Sequence, residues 1–218
     1  MYKFISEATE KCKTKDLQKY QYGYCICANM FLGMRVGELL ALRWADIDFD
    51  NNIIFVHSNL QLINNPKYDK NKEIEMKALD INKQIYEEQS IKTSQNRTIH
   101  MNNSAKKYLL LQREYSNFTT DSDFVCCTKD GKHAAITYIS ENIGRIEEII
   151  GTNVKYKGTH IMRHTCASMY FRKGVSVELI ASMLGHSVEV CRNTYIHFIE
   201  EQKCEVAKLI TDFDQVNI

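Results

Sequence analysis

The sequence lacks the features that mark membrane, secreted and disulfide-bonded proteins. No run among its 218 residues approaches 18 apolar positions, so no transmembrane helix is expected. The first residues, Met1 to Glu7, lack the apolar stretch of a signal peptide. Eight cysteines are present, but no CxxC pair occurs, and the adjacent Cys126 and Cys127 fit neither zinc nor redox spacing. We therefore interpret the cysteines as reduced, mostly buried thiols of a cytosolic protein.

The sequence also lacks an excess of charge of either sign. Its 28 basic and 27 acidic residues give a formal net charge of +1, far from the basic balance of a typical nucleic-acid-binding domain. A DNA partner would therefore require the positive charge to be concentrated on one face. Hydrophobic residues make up 44% of the chain, which is enough for one domain, or one domain and a tail, to bury a full core.

Two helices are predicted near the start of the chain. Apolar side chains recur at helical spacing over residues 14–32, and Gly33 is a suitable C-terminal stop. A second helix should begin near Val36 and run towards Trp44. Arg35 then lies at a helix–helix junction, where its long side chain can be aimed into a cleft.

The middle of the chain has the patterns of strands and turns. A short apolar run, Ile53 to Val56, predicts a strand. Residues 64–90 are polar and fit a long hairpin or a partly mobile insertion. Residues 91–99 are typical of a strand, a tight turn and a second strand, with Lys92 at the tip of the hairpin. A further short strand or hairpin is predicted at residues 124–131.

The rest of the chain is predicted to be mostly helical. The expected helices are residues 104–115 capped by Ser104, residues 136–150, a helix capped by Thr159 that ends near Gly174, a helix capped by Ser176 that stops at Gly185, a segment at 188–198 that holds Tyr195, and a final amphipathic stretch at 199–211. The predicted class is therefore mainly α with a small antiparallel β-sheet.

Arginines and histidines form an ordered set of short motifs. His160 and Arg163 are three positions apart on one predicted helix, so their side chains share a face. Arg35 can approach the same anion from its separate junction. Guanidinium groups offer paired donors that match phosphate oxygens, and preorganised donors stabilise the charge of a pentacoordinate phosphorane. Each arginine alone is typical of a surface ion pair, whereas the ordered set predicts a clamp for a phosphodiester.

A second histidine and a tyrosine complete this set. Gly185 ends a predicted helix and frees His186 to point into a cleft. Tyr195 follows nine residues later, enough for a turn and a short helix to bring its hydroxyl to the same centre. A tyrosine nucleophile would form a covalent phosphotyrosine and divide transesterification into two reversible steps, without ATP or a metal. The alternatives are a helix-terminal cap for His186 and a core position for Tyr195.

Strand cleavage also requires an acid that protonates the departing sugar oxygen. Lys92 is the candidate by its position at the predicted hairpin tip, and its alternative role is a solvated edge charge. Glu38 would orient Arg35 or a histidine, and its alternative role is a surface acid at a helix end.

These motifs closely resemble the catalytic domain of the tyrosine recombinases, the phage-integrase family of site-specific recombinases. Residues 33–44 resemble the family's first arginine box, and residues 91–99 resemble its lysine hairpin. Residues 160–165 resemble the HxxR box, and residues 184–195 resemble the final histidine–tyrosine segment. The similarity covers roughly residues 15–200 of the 218.

The resemblance implies a mechanism for DNA cleavage. Tyr195 would attack the scissile phosphate to give a 3′-phosphotyrosine and a free 5′-hydroxyl. His160 would assist proton movement at this nucleophile, and Lys92 would be the general acid. No cofactor or metal would take part.

The resemblance also implies how the phosphate is held and what the protein binds. Arg35 and Arg163 would bind the phosphate, His186 would contact a non-bridging oxygen, and Glu38 would have a supporting role. The implied partners are double-stranded DNA attachment sites and accessory DNA-bending or excision factors. The protein would be a monomer when free and would assemble into a synaptic tetramer on DNA. The protein would act in the cytoplasm, on the nucleoid.

The domain organisation follows from the same resemblance. Residues 1–200 are expected to form the catalytic domain, and residues 201–218 a tail that docks on a neighbouring protomer or folds back on its own domain. Family members normally carry an N-terminal core-binding domain, which we expect to be absent from this chain. The stretch before Lys92 is longer and more polar than is usual in the family.

Two alternative functions remain open from the sequence. A type IB topoisomerase-like enzyme would share the tyrosine chemistry but relax supercoils without exchanging strands between partners. A non-catalytic, DNA-binding remnant would regulate rather than cut. The spacing from His186 to Tyr195 and the tail after it favour the recombinase.

Overall fold

A computed structural model of the protein describes residues 1–12, 18–78, 82–90, 96–151 and 158–194. Eight α-helices and five strands lie within these ranges. The helices are α1 (Tyr2–Ala8), α2 (Gly23–Leu32), α3 (Val36–Ala41), α4 (Glu73–Ala78), α5 (Asn103–Tyr115), α6 (Ile136–Ile150), α7 (His160–Arg172) and α8 (Val177–Leu184). The strands are β1 (Ile47–Asp48), β2 (Ile53–Val56), β3 (Ser58–Asn64), β4 (Gln84–Ser90) and β5 (Arg97–His100). Residues 188–194 are also helical.

The predicted class, mainly α with a small antiparallel component, is confirmed, although the strands form two sheets. One sheet has the order β1-β2-β5, and the other pairs β3 with β4. The β3–β4 pair confirms the long hairpin predicted around residues 64–90, and it extends over seven residue pairs from Ser58–Ser90 to Asn64–Gln84. At its far end the connection includes a 3-10 helix, Lys70–Lys72, and α4.

The segment predicted to be a strand, a turn and a strand is only partly described. Residues 91–95, with Lys92, lie outside the described residues. The second strand of the prediction corresponds to β5, which pairs with β2 and places Arg97 opposite Val56. Position 97 therefore begins a strand of the central sheet, close to the first helices.

Helix α2 forms the centre of the hydrophobic core. Nine of its ten residues are buried, so it is apolar on all sides and must be surrounded by other elements. It packs against α5, α7 and α1. The seven cysteines in the described ranges are free thiols, and six of them are buried, as predicted.

The prediction of one continuous helix over residues 14–32 is wrong at residues 18–22. These residues form a bridge and turns because their backbone pairs with the segment after α1: Lys19 N–H donates to Glu10 O at 2.9 Å, and Gln18 bridges to Lys11. The helix starts at Gly23, where a Cβ would lie 1.9 Å from Ala8 O. Glycine therefore allows α2 to begin in contact with α1, which the sequence pattern did not predict.

The other helix boundaries agree largely with the predictions. Helix α6 spans the predicted residues, and α8 begins after Ser176, whose side chain accepts from Leu179 N–H, and stops at Gly185. Asn102 rather than Ser104 caps α5, because its side chain accepts from Ala105 N–H at 2.9 Å. Thr159 directly precedes α7, but its side chain makes no capping hydrogen bond.

The short strand or hairpin predicted at residues 124–131 is present as isolated bridges and a turn rather than as a regular strand. Gly131 N–H donates to Thr128 O, and Cys127 forms a bridge with His133.

Within the described ranges, none of the helices has both the length and the apolar character needed to span a bilayer.

Candidate active site

Four of the predicted site residues line one cavity of about 590 Å³. The cavity lies between the start of α3, strand β3, the first turn of α7 and the segment that follows α8. The predicted residues on its wall are Arg35, His160, Arg163 and His186. Side chains that are up to 151 positions apart in the sequence, from 35 to 186, are therefore brought together as predicted.

Arg35 reaches the cavity because the chain turns sharply after α2. Gly33 ends α2 in the left-handed conformation with φ of 67°, which glycine adopts without steric penalty. The Asn29 side chain then fixes the turn, since its Oδ1 accepts from Met34 N–H at 2.9 Å and its Nδ2 donates to Met34 O at 3.0 Å. Arg35 follows in an extended conformation as the N-cap of α3. The predicted helix–helix junction is confirmed.

Glu38 is a buried carboxylate that joins two arginines. Its side chain is only 1% exposed. It accepts from Arg35 through the backbone N–H at 2.7 Å and through Nη1 at 2.9 Å. It also accepts two parallel bonds from Arg97, Nη1 to Oε1 at 2.9 Å and Nη2 to Oε2 at 2.8 Å. The predicted contact between Glu38 and Arg35 is therefore present.

The charge state of this group follows from its contacts. Burial of the Glu38 carboxyl acts to raise its pKa, but the hydrogen bonds and charges of Arg97 and Arg35 outweigh burial and leave the pKa below its ordinary value. The carboxylate is ionised at neutral pH, so Glu38, Arg35 and Arg97 together carry a net charge of +1. Arg163 adds a further positive charge on the cavity wall.

Arg163 is buried beneath the cavity and connects three parts of the chain. It is 6% exposed. Its Nη1 donates to Gly33 O at 2.7 Å, its Nη2 donates to Leu184 O, and its Nε donates to His186 Nε2 at 3.2 Å. The end of α2, the end of α8 and the second histidine are thus held around one guanidinium.

Three arginines bind three successive carbonyl groups at the C-terminal end of α8. The last carbonyls of a helix have no partner within the helix and carry its partial negative charge, so cations bind there favourably. The pairs are Arg97 Nε with Met183 O at 3.2 Å, Arg163 Nη2 with Leu184 O, and Arg35 Nη2 with Gly185 O at 2.6 Å. The residue that follows these carbonyls is His186.

His186 is neutral and offers a donor. Burial lowers its pKa to about 4, and the charges of Arg163 and Arg35 act in the same direction. Because Nε2 accepts from Arg163, the ring proton resides on Nδ1. Nδ1 is buried and has no hydrogen-bond partner among the described residues. A buried N–H group of this kind is suited to bind an oxygen atom of a ligand.

The first two turns of α7 present two histidines to the cavity. His160 is exposed and lies at the N-terminal end of the helix, where the backbone favours an anion. His164, one turn later, also lines the cavity. Burial lowers the pKa of His164, and the charges of His160 and Arg163 add to this effect. Sequence reasoning missed His164, although its spacing of four from His160 places it on the same helix face.

Arg97 was likewise missed as a site residue. In the sequence it stands out only as part of the segment that follows Lys92. Its contacts with Glu38 and Met183 span 59 and 86 positions, and no local pattern indicates them.

The nucleophile and the general acid of the prediction lie outside the described residues. These are Tyr195 and Lys92. Thr194, the residue directly before Tyr195, lies on the cavity wall.

The cavity has no companion metal site in the part of the chain that the structure describes. Among these residues, no group of three or more His, Cys, Asp or Glu side chains is arranged to hold a metal ion.

Comparisons with known proteins match nearly the whole sequence. The sequence profile of the phage integrase family matches residues 3–202. A tyrosine recombinase XerC-like protein of Caldanaerobacter subterraneus subsp. tengcongensis is 27% identical over 217 residues, which cover 96% of this chain and 52% of that protein. The integrase of Staphylococcus phage L54a is 26% identical over 183 residues, which cover 80% of this chain and 47% of that protein. The chain spans about half the length of these curated relatives.

Solved structures share the fold. The Tn1549 transposon integrase in complex with circular intermediate DNA has a TM-score of 0.68 at 18% identity, over 95% of this chain and 64% of that one. The XerH site-specific recombinase bound to a palindromic difH substrate has a TM-score of 0.55 at 21% identity, over 96% of this chain and 51% of that one. The fold is that of a tyrosine recombinase catalytic domain. Since the profile covers residues 3–202, the chain belongs to the phage integrase family.

Proposed function

We propose that the protein is a site-specific tyrosine recombinase that breaks and rejoins double-stranded DNA. One observation carries this proposal: Arg35, His160, Arg163 and His186 meet on one cavity whose wall includes Thr194, the residue before Tyr195. A phosphodiester placed in this cavity would meet cationic and N–H donors from three separate elements.

The proposed reaction has two reversible steps. In the first step Tyr195 Oη attacks the scissile phosphorus, the bond to the 5′-oxygen breaks, and a 3′-phosphotyrosine forms. His160 accepts the phenol proton, and Lys92 donates a proton to the departing 5′-oxygen. In the second step a 5′-hydroxyl attacks the phosphotyrosine and releases the tyrosine. The phosphotyrosine linkage retains the energy of the broken phosphodiester bond, so the cycle needs no external energy source.

We assign different tasks to the two arginines of the clamp. The Arg35 side chain is 44% exposed and can bind the non-bridging oxygens directly. Arg163 is buried and is bonded to His186, so it supplies charge beneath the phosphate and fixes the imidazole ring. His186 donates its Nδ1–H to a non-bridging oxygen. Glu38 supports Arg35 from below.

The partners follow from this function. We propose that residues 1–200 form the catalytic domain and that the protein acts on DNA attachment sites as a synaptic tetramer of otherwise free monomers, with accessory DNA-bending or excision factors. Residues 201–218 would dock on a neighbouring protomer. The protein would act in the cytoplasm, on the nucleoid. The related structures support the DNA partner, since the Tn1549 integrase was solved with circular intermediate DNA and XerH with a palindromic difH substrate.

Capture of a covalent intermediate tests the proposal and does not require the attachment site to be known. The protein is incubated with a pool of duplexes that carry a nick flanked by randomised sequence. Loss of the short fragment next to the nick traps the phosphotyrosine, and the adducts are recovered on a denaturing gel and sequenced. We expect adducts with one enriched sequence from the wild-type protein and from Tyr138→Phe, an exposed tyrosine on α6, but none from Tyr195→Phe.

Other outcomes would support the alternatives. Adducts without sequence enrichment, together with relaxation of plasmids that lack the enriched site, would favour topoisomerase-like activity. Specific binding to DNA without any adduct would favour the regulatory remnant.

A further inference from the structure

We propose that Arg97 is a positioning residue that holds the phosphate-binding groups in place without binding DNA itself. This inference rests on the proposed function, because it concerns the same site. Arg97 is the first residue of β5 and pairs with Val56 in the central sheet. Its side chain leaves the sheet and reaches α3 and the end of α8.

The contacts of Arg97 join two parts of the site. Both of its terminal nitrogens bind the two oxygens of Glu38, at 2.9 and 2.8 Å. Its Nε donates to Met183 O at 3.2 Å. A bidentate pair fixes the plane of a carboxylate as well as its distance. Glu38 in turn accepts from Arg35, so the orientation of the exposed guanidinium depends on Arg97 through one shared carboxylate.

Arg97 also packs against the turn that leads to His186. Gly185 has φ of 65°, and a Cβ at this position would lie 3.1 Å from Arg97 Nη1. The guanidinium thus lies against the glycine that redirects the chain after α8. Arg97 therefore contacts the supports of both Arg35 and His186.

The burial of Arg97 distinguishes positioning from DNA binding. Its side chain is 10% exposed, whereas that of Arg35 is 44% exposed. A lysine at this position would keep the charge but lose the bidentate geometry. We therefore expect Arg97 variants to bind DNA normally and to cleave it slowly.

The test compares binding with cleavage on the duplex enriched from the randomised pool. The variants are Arg97→Gln, Arg97→Lys, Glu38→Gln and the double variant Arg97→Gln/Glu38→Gln. The matched control is Arg43→Gln, which removes another arginine–glutamate pair, Arg43–Glu88 at 2.9 Å, away from the cavity. Binding is measured as Kd at several salt concentrations, and cleavage as the first-order rate of adduct formation at saturating protein. This rate reports only folded molecules, so partial unfolding lowers the amplitude and not the rate constant.

For Arg97→Gln we expect a fall of roughly 10- to 100-fold in the cleavage rate, the usual range for loss of a group that orients a site. We expect Kd and its salt dependence to remain those of the wild type. Arg97→Lys should recover only part of the rate. If Arg97 acts through Glu38, the double variant should be about as slow as the slower single variant.

Three results would overturn the inference. A salt slope reduced by about 0.9 would identify Arg97 as a direct phosphate ligand. Defects that multiply in the double variant would show that Arg97 acts independently of Glu38. A wild-type cleavage rate in Arg97→Gln would remove its role altogether. Absence of adducts from the wild-type protein would overturn the proposed function and this inference together, whereas the three results above leave the function intact.

Discussion

Replacement of Glu38 by glutamine should destabilise the protein strongly, because Glu38 is a buried charge shared by two arginines. The carboxylate is 1% exposed, and Arg97 is 10% exposed. In Glu38→Gln one oxygen and one amide replace the two anionic oxygens, so Arg97 is left as a buried cation without its counter-charge. Removal of one partner from a buried ion pair costs roughly 3–5 kcal/mol.

The lower end of that range applies here. The Arg35 side chain is 44% exposed, so water can solvate it after the carboxylate is lost. We therefore expect the free energy of unfolding to fall by about 3 kcal/mol. In a domain of this size each kcal/mol shifts Tm by about 2–4 °C, which gives a decrease of roughly 6–12 °C.

Urea denaturation at neutral pH measures this loss directly. The matched control is Glu178→Gln, since Glu178 is 62% exposed and lies 3.5 Å from an exposed Arg192. Exposed pairs contribute less than about 1 kcal/mol. A loss of less than about 1 kcal/mol in Glu38→Gln, the level of an exposed pair, would refute the assignment of Glu38 as a buried, ionised bridge.

The pH dependence of this difference has a definite sign. The pKa of Glu38 is lowered in the folded state. Its contribution is therefore complete above the ordinary glutamate pKa of about 4.3 and is lost as the pH falls through the folded-state value. The stability difference between the wild-type protein and Glu38→Gln should shrink in acid.

Three further predictions concern the rest of the site. Gly185→Ala should lower the free energy of unfolding, measured in urea, more than Gly151→Ala does. Both glycines have a left-handed φ, of 65° and 64°, but only at Gly185 would the added Cβ meet the Arg97 guanidinium. Equal losses would argue against that contact. The pKa of His186 is lowered to about 4 in the folded protein, so as the pH falls below about 6.5 this histidine is protonated first in the unfolded chain. The free energy of unfolding should therefore decline between about pH 6.5 and 4. In urea titrations at several pH values, His186→Asn should flatten this decline. Lys92→Ala should cleave a normal duplex slowly, but it should cleave a duplex with sulfur as the 5′-bridging atom at close to the wild-type rate. The reason is that a thiol has a pKa of about 8.5, so the sulfur leaves as a thiolate without being protonated. Equal defects on both substrates would exclude Lys92 as the general acid.

Local sequence patterns predicted those parts of the fold in which local interactions decide the structure. Helix α8 is an example, since Ser176 caps its start and Gly185 ends it through contacts within a few residues. The start of α2 is the opposite case. Apolar residues continue at helical spacing before Gly23, but the backbone at residues 18–19 bonds to residues 10–11 instead. Periodicity does not register such competition from a segment seven to nine positions away.

The same distinction applies to the candidate site. Arg35, Arg163 and His186 were predicted because each lies in a short motif next to a glycine or on a helix face. Arg97 was not predicted as a site residue, because its partners Glu38 and Met183 lie far away in the sequence. The sequence also did not indicate that arginines bind the three successive carbonyls at the end of α8, which depends on the packing of four separate segments.

The identity of the residue that becomes linked to DNA tests the central claim most directly. The covalent adduct is digested with trypsin and nuclease, and the linked peptide is sequenced by mass spectrometry. Cleavage after Arg192 and Lys203 releases a peptide of residues 193–203. We predict a nucleotide attached through a phosphodiester to Tyr195 in this peptide. A nucleotide attached to any other residue would contradict the assignment of Tyr195 as the nucleophile.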